Sequence, residues 1–138
     1  MARSTARKFL PAGPPPRFKS PNTAYRVLRD YAQPAPKHIA QVVAIAEEFT
    51  ACCPMTGQPD FGKVRITYAP RDKILESKAL KTYLWSYRAF GAMAEDIANL
   101  IAIHVLESLN ARRVEVLVVQ QPRGGIGIEA TAAIEGAP

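Results

Sequence analysis

The sequence predicts an α+β fold, with one antiparallel sheet of four strands and two helices on one of its faces. Three observations support this class. Two segments with strand patterns lie within residues 38–70, two long segments of helix-forming residues fill 75–110, and two more strand patterns lie within 112–135. This order is typical of α+β domains, because neighbouring strands pair as hairpins and the helices cover one face of the sheet. A chain of 138 residues is long enough for one such domain.

The first two strands are predicted over residues 38–49 and 62–70. The first segment is rich in small and β-branched apolar residues, and the second alternates apolar with polar residues up to Pro70. Residues of one parity share one face of a strand, so each segment has a predicted inner face. The residues on these faces are Ile39, Val43, Ile45 and Phe49 in the first strand and Val64, Ile66 and Tyr68 in the second.

Two helices are predicted over residues 75–90 and 92–110, with Gly91 between them. Both segments contain good helix formers, and their apolar residues recur at helical spacing. Asn110 is the expected end of the second helix, and His104 is interpreted as a core or interface histidine. The apolar stripes are Leu80, Leu84 and Tyr87 in the first helix and Ile97, Leu100, Ile101, His104 and Val105 in the second.

The last two strands are predicted over residues 112–121 and 125–135, joined by a turn at 122–124. A four-stranded sheet in a chain of this size leaves two edges and one face uncovered. Natural sheets usually pair, cover or close such edges, since an open edge is a template for another strand. We therefore expect several subunits to assemble into a barrel.

Residues 1–37 differ in composition from the rest of the chain. They carry eight Lys or Arg, one acidic residue and seven of the twelve prolines, whereas residues 38–138 are close to neutral. Basic, proline-rich segments of this kind are typically extended or disordered. We predict an N-terminal arm over 1–37 and a folded domain over 38–138. The arm could contact RNA or a protein partner, but a solubilising tail is the favoured interpretation.

Composition also indicates the cellular setting. No apolar run approaches the roughly 18 residues of a membrane span, and no apolar stretch follows the basic N-terminus, as a secretory signal would require. The chain has two cysteines, Cys52 and Cys53, and adjacent residues have poor geometry for a disulfide. No Cys or His spacing suggests a metal site. The sequence therefore predicts the reducing cytoplasm.

Cys53 and Asp60 are the first candidates for chemistry. In "CCPMTGQPDF" (52–61) the cysteine before Pro54 follows a strand, and a turn could return the carboxylate to the sulfur. A thiolate is a good nucleophile once its pKa is lowered, and a neighbouring acid can donate the proton that addition to a C≡N or C=O bond requires. The alternative, a small buried apolar residue, is our interpretation of Cys52.

Four charged residues form weaker candidates. Lys78 and Lys81 are three apart on one face of the first predicted helix, where they could hold phosphates, although a solvated charged face is favoured on spacing alone. Arg123 lies in a glycine-rich turn and could approach a phosphate or simply belong to a hairpin. Glu95 starts the second helix, where the helix dipole favours an acid. It could also bind the polar edge of a heterocycle.

Together these segments resemble one enzyme family. The segments "EEFTACCPMTGQPDF", "LESKALKTYLWSYR", "AED" and "PRGGI" follow one another at near-uniform spacing. They resemble the NADPH-dependent 7-cyano-7-deazaguanine reductases, the nitrile reductases of queuosine biosynthesis. The Cys-Pro-x-Thr-Gly-Gln-Pro-Asp-Phe and Glu-Ser-Lys-Ala-Leu-Lys blocks are highly specific in combination.

The resemblance implies a tunnelling fold whose subunits close into a ring-shaped barrel, with two pentameric rings stacked as a decamer and active sites between subunits. It implies a cytoplasmic homo-oligomer that acts on a small molecule, 7-cyano-7-deazaguanine (preQ0). Two hydrides from the cofactor NADPH would convert the nitrile to the aminomethyl group of preQ1, a precursor in tRNA modification.

The resemblance also implies roles for single residues. Cys53 would add to the nitrile as a covalent thioimide, and Asp60 would donate the proton. The residues that bind the substrate would be Leu75, Glu76, Ser77, Ala94 and Glu95, and those that contact the NADPH phosphates would be Lys78, Lys81 and Arg123.

The chain departs from the family pattern at Ala94, where the family usually has histidine. Alanine cannot donate a hydrogen bond or shuttle a proton, so the departure affects the reduction steps rather than thioimide formation. Two alternatives stay open. One is a relative that resolves the thioimide with ammonia, giving an amidine on a tRNA base, and the intact Glu-Ser-Lys-Ala-Leu-Lys block speaks against it. The other is a non-enzymatic preQ0-binding protein, which the retention of Cys53 and Asp60 disfavours.

Overall fold

The computed structural model describes residues 7–14 and 16–138, and the sheet at its centre has four antiparallel strands. The α+β class and the antiparallel sheet predicted from the sequence are confirmed. Short elements that were not predicted precede and interrupt the longer ones. In chain order the elements are α1 (Pro21–Ala24), α2 (Arg26–Asp30), β1 (Gln33–Pro34), β2 (Val42–Cys52), β3 (Pro59–Ala69), β4 (Lys73–Ile74), α3 (Ser77–Trp85), a 3₁₀ helix (Ser86–Ala89), α4 (Ala94–Leu109), β5 (Arg113–Arg123) and β6 (Ile126–Glu135).

The main sheet has the strand order β2-β3-β5-β6, so β2 and β6 form its edges. Alternate residues of the two central strands are buried under the helices, as the period-2 pattern predicts. This confirms the inner face predicted for β3. The buried residues are Val64, Ile66 and Tyr68 in β3 and Val114, Val116 and Val118 in β5. Strands β1 and β4 pair separately as a two-residue ribbon.

The inner face predicted for the first strand is wrong, and a β-bulge is the reason. The pairing register of β2 with β3 shifts between Ala46 and Phe49. A shift of this kind turns every residue on one side of it to the opposite face. Phe49 is buried, but Val43 and Ile45 are 37% and 58% exposed, and Ile39 precedes the strand and is exposed as well.

Helix α3 begins two residues later than predicted, because Glu76 caps it instead of joining it. The Lys78 N–H donates to Oε1 of Glu76 at 3.0 Å, and the Ala79 N–H donates to Oε2 at 2.8 Å. The side chain thus satisfies two of the backbone donors that a helix start leaves unpaired. The α-helix ends at Trp85, and its last predicted turn is a 3₁₀ helix.

Helix α4 matches its predicted stripe and its predicted end. Ile97, Ile101, His104 and Val105 are buried, and Leu100 is half-buried. Asn110 ends the helix with a left-handed backbone (φ 49°), a conformation that asparagine tolerates. Within the described residues, no helix combines the length and apolar character needed to cross a membrane.

The predicted N-terminal arm is not extended between Pro21 and Asp30, where α1 and α2 form. Ala24, Val27 and Leu28 are buried, and α2 packs against α3 and α4. Helices of four and five residues are unstable alone and too short to show a period, so tertiary packing rather than local pattern determines them. Residues 1–6 and 15 of the predicted arm lie outside the described residues.

Candidate active site

Cys53 lies at the base of a tight turn between β2 and β3. Its N–H donates to the Gln58 carbonyl at 2.8 Å, and the Gly57 N–H donates to the Cys53 carbonyl at 2.9 Å. Gly57 has φ +73°, which a residue with a side chain rarely adopts. The turn therefore holds the cysteine directly after the last residue of β2, as the sequence predicts.

The Cys53 thiol is surrounded by hydrogen-bond donors. The hydroxyl of Thr56 has the largest effect, and the N–H groups of Thr56 and Met55 and the Arg123 guanidinium add to it. These donors favour the thiolate and outweigh the opposing effect of burial, so they lower the pKa of Cys53 from 9.0 to about 7. A large share of the sulfur is therefore ionised at neutral pH.

Asp60 is buried close to this thiol. Its strand position pairs with Ala51 of β2, two residues before Cys53, and only 4% of the residue is exposed. Nη1 of Arg123 donates to Oδ1 of Asp60 at 2.6 Å. The other carboxylate oxygen, Oδ2, is buried and has no hydrogen-bond partner among residues 7–14 and 16–138.

Arg123 reaches this carboxylate from the far end of β5. The turn predicted at 122–124 lies instead at Gly124 and Gly125, both with positive φ, because β5 continues through Arg123. The pairing of β5 with β6 shifts register between Gln120 and Arg123. Such irregularities re-aim side chains at strand ends. Half of the Arg123 side chain stays exposed.

The start of α4 adjoins the cysteine turn. Gly91 forms a parallel bridge with Cys52, and the Ala92 N–H donates to the Cys52 carbonyl at 3.3 Å. A Cβ at Gly91 would lie 3.1 Å from Cα of Pro54, so glycine permits this close approach. Of the predicted substrate residues that follow, Ala94 is buried and Glu95 is exposed.

The other predicted substrate residues lie at the start of α3. The Leu75 N–H donates to the Tyr68 hydroxyl at 2.9 Å, which ties this segment to the sheet. Glu76 uses both carboxylate oxygens to cap α3. Of these three residues, Ser77 lines the cleft described in the next paragraph.

A cleft of about 840 Å³ separates edge strand β2 from α3. Cys53 and Asp60 are not among its lining residues, but its β2 wall ends at Thr50, three positions before Cys53. Lys81, Trp85 and Arg88 lie along its α3 side. The full lining consists of residues 44–50 together with Ser77, Leu80, Lys81, Leu84, Trp85 and Arg88.

The three cations predicted to bind a cofactor do not lie together. Lys81 lines the cleft, whereas Arg123 pairs with Asp60. Nζ of Lys78 donates to the carbonyls of Pro11 and Gly13, at 2.6 and 3.3 Å. Residues 7–14, called the N-terminal segment below, therefore hold this lysine.

Sequence reasoning missed Thr56, Trp85 and Arg88. Trp85 and Arg88 follow Lys81 by four and seven residues, and this helical spacing could have placed them on the same face. Thr56 gave no signal of its own, because its role depends on the closed geometry of the turn.

Comparisons with known proteins show which family this chain resembles. The family model described as "QueF-like protein" matches residues 59–137. An NADPH-dependent 7-cyano-7-deazaguanine reductase of Bacteroides thetaiotaomicron is 49% identical over 81 residues, which are 59% of this chain and 54% of that protein. The chain thus spans about half the length of this relative.

A shorter relative and a solved structure extend the comparison. A protein of the same name from Anaeromyxobacter sp. (strain Fw109-5) is 37% identical over 112 residues, covering 81% of this chain and 92% of that protein. The crystal structure of an archaeosine synthase QueF-Like, in the apo form, has a TM-score of 0.66 at 26% identity and covers 74% of this chain and all of that chain. The family model and the Anaeromyxobacter relative show that this chain belongs to the QueF-like protein family.

Proposed function

We propose that this protein reduces the nitrile of preQ0 to the aminomethyl group of preQ1 with NADPH, in queuosine biosynthesis. The observation that carries the proposal is the pairing of a buried, readily ionised thiol, Cys53, with a buried carboxyl group, Asp60, across one turn. Addition to a nitrile needs both groups. The names of the relatives at 37–49% identity support the same substrate and cofactor.

Cys53 and Asp60 divide the first step between them. The thiolate attacks the nitrile carbon, a bond forms between sulfur and carbon, and one π bond of the C≡N group breaks. Its electron pair moves to nitrogen, which takes the proton of the Asp60 carboxyl group. Oδ2 of Asp60 has no hydrogen-bond partner among the described residues, so this oxygen can face the substrate nitrogen. The product is a thioimide on Cys53.

The residues along the cleft fit NADPH, which supplies the hydride for each reduction when bound. The cleft has a volume of about 840 Å³, and Lys81 and Arg88 place two cations along one side, where they would hold phosphates. Ser77 contributes a hydroxyl group. It also lies in the first turn of a nine-residue helix, where backbone N–H groups favour an anion. Lys78 would join these contacts after leaving its present carbonyl partners.

The substrate base would lie at the start of α4, beside the Cys53 turn, where the exposed Glu95 presents an acid to its polar edge. In one chain Leu75, Glu76 and Ser77 lie at the opposite end of β2, near Tyr68 and Val42, so a neighbouring subunit would supply these three residues. Ala94 is 3% exposed and supplies no polar group in place of the usual histidine. The remaining walls of the pocket and Glu95 would therefore orient the substrate.

Assembly into the barrel of the tunnelling fold would complete this site. Edge strand β2 exposes Val43 and Ile45, and Ile39 just before it is also exposed, so this edge carries apolar side chains suited to a neighbouring subunit. Glu95 lies on the surface of the single chain, where a second subunit could close the pocket over the base. Two stacked pentameric rings are the proposed assembly.

The first test separates the two cysteines. Protein mixed with preQ0 without NADPH should gain one substrate mass, measured on the intact protein. Cys53→Ala should abolish this adduct, and the matched variant Cys52→Ala should retain it. An adduct that survives Cys53→Ala and is lost in Cys52→Ala would refute the assignment.

NADPH consumption then separates the candidate activities. The reductase consumes cofactor, followed by its absorbance, in proportion to preQ1 formed. An adduct that is formed but is resolved only when ammonia is added would favour the amidine-forming alternative; the solved structure that this chain resembles is that of an archaeosine synthase. Binding with neither adduct nor turnover would indicate a preQ0-binding protein.

A further inference from the structure

We propose that Arg123 is a positioning residue for the Cys53–Asp60 pair and acts in thioimide formation, before any NADPH is used. This inference rests on the proposed function and changes the role that the resemblance gives to Arg123, which is contact with the cofactor phosphates. Three features carry it: the burial of Asp60, the ion pair between its carboxylate and the Arg123 guanidinium, and the charge that moves during addition.

Burial makes Asp60 dependent on Arg123. Once its proton has passed to nitrogen, Asp60 is a carboxylate in a site that is only 4% exposed, and a buried charge without a partner is strongly destabilising. Among the described residues, Arg123 is the only cation within ion-pair distance of it, with Nη1 at 2.6 Å from Oδ1. A cofactor phosphate would have to take the guanidinium away from this carboxylate.

The guanidinium also contributes to the hydrogen bonds at the thiol. Arg123 is one of the donors that favour the ionised sulfur, together with the neutral groups of Thr56 and Met55. It is the only charged residue among the groups that stabilise the Cys53 thiolate, and Asp60 faces the same guanidinium. A planar fork of five N–H donors can serve two acceptors at once. One side chain therefore pairs with the carboxyl group and favours the ionised sulfur.

The charge that moves during addition gives Arg123 a further effect. The reaction consumes the thiolate and turns the Asp60 carboxyl group into a carboxylate when its proton passes to nitrogen. A cation beside both groups stabilises the negative charge before the step, on sulfur, and after it, on the carboxylate. Electrostatic stabilisation that is already in place needs no reorganisation during the reaction.

The hairpin geometry suits this role. Arg123 is the last residue of β5, and the register shift before it directs its side chain toward β3, the strand that carries Asp60. The cleft proposed for NADPH is lined by β2 and α3, and Arg123 is not among its lining residues.

The first experiment needs neither substrate nor cofactor. In the Cys52→Ala background, the rate of Cys53 alkylation by iodoacetamide is measured against pH for three proteins: the one that keeps Arg123, the Arg123→Gln variant and the Arg123→Lys variant. We expect Arg123→Gln to raise the midpoint by roughly 0.5 pH unit or more, since removal of a nearby cation disfavours the thiolate. Arg123→Lys should recover part of the shift. Arg65→Gln, a cation on the outer face of β3, is the control and should leave the midpoint unchanged.

The second experiment measures thioimide formation with preQ0 in the absence of NADPH. Arg123→Gln should slow the adduct by roughly 10-fold or more, as expected when a general acid is no longer held in place. A cofactor-binding role alone predicts an unchanged rate. Unchanged alkylation midpoint and unchanged adduct rate in a folded Arg123→Gln protein would overturn the inference. If the wild type forms no adduct but the midpoint shifts, the proposed substrate is wrong and the role of Arg123 at the thiol stands.

Discussion

At the residue scale, the two neighbouring cysteines show that reactivity depends on surrounding donors rather than on position in the sequence. Cys53 is buried among the donors of its turn, and the pKa of its thiol falls to about 7. Cys52 is the last residue of β2, and its Sγ makes only a long contact of 3.7 Å with the Cys53 carbonyl. Their spacing in the sequence predicted Cys53 and Asp60 as candidates. It could not identify Thr56, because hydrogen-bond geometry decides that role.

His104 provides a prediction at the same scale. It is buried, stacks on Tyr25 at 4.6 Å and shares a 2.7 Å hydrogen bond with the Tyr83 hydroxyl. Burial lowers the pKa of His104 from 6.5 to about 4, so the folded state favours the neutral ring. The contribution of His104 to the free energy of unfolding is therefore fully present above pH 6.5, and it is lost as the pH drops toward 4.

The expected loss from this one residue is on the order of 2 kcal/mol between pH 7 and pH 4.5. Urea unfolding at both pH values measures it. His104→Asn should lose less stability over this range than the wild type, and His38→Asn, which replaces an exposed histidine, should behave as the wild type does. Equal losses in the wild type and His104→Asn would contradict the assignment.

At the scale of secondary structure, the sequence predicted the longer elements well and their irregularities poorly. The stripe of α4 and the alternation of β3 follow from simple periods, so they could be read directly. The bulge in β2 could not be predicted in this way, because it depends on pairing with another strand and produces no periodic pattern in the sequence. The same limitation applies to the register shift before Arg123, which places the guanidinium at Asp60.

Gly62 tests the packing that supports this placement. It pairs with Gln120 of β5, and a Cβ there would overlap the Val119 carbonyl oxygen. Gly62→Ala should therefore push β5 away from β3 and move Arg123 from Asp60. We expect a loss of about 1–3 kcal/mol in unfolding free energy and slower alkylation of Cys53 at pH 7.

The matched control for this variant is Gly127→Ala in β6. There a Cβ would meet its nearest atom, Cγ of Pro122, at 3.5 Å, an ordinary contact distance. This control should alter stability much less than Gly62→Ala. A Gly62→Ala protein with normal stability and normal Cys53 reactivity would show that β5 tolerates the displacement.

At the scale of the whole molecule, the N-terminal segment connects distant parts of the chain. Leu10 is buried in the core, Nε2 of Gln33 donates to the Lys8 carbonyl at 2.8 Å, and Lys78 is held by Pro11 and Gly13. Composition indicated a solubilising tail, since charge and proline content do not reveal that a single leucine anchors the segment. The segment is therefore in a position to compete with phosphates for Lys78.

Release of the segment should improve cofactor binding. Leu10→Asp removes the apolar anchor, and the released Lys78 should lower the KM for NADPH by roughly threefold or more, about 0.7 kcal/mol of binding free energy. Phe9→Asp is the matched control, because Phe9 is 56% exposed and its loss leaves the anchor in place. Steady-state kinetics at saturating preQ0 measure both. An unchanged KM in a folded Leu10→Asp protein would show that the segment does not limit access to Lys78.

Strand β2 contributes both to the proposed assembly and to the candidate active site. It is an unpaired edge of the sheet, and its last residue immediately precedes Cys53. In the proposed ring, one continuous strand thus contacts the neighbouring subunit and positions the Cys53 sulfur. Dilution that dissociates the ring would then lower the activity of each subunit. Each dissociated subunit would lose its neighbour and, with it, the restraint on its own Cys53.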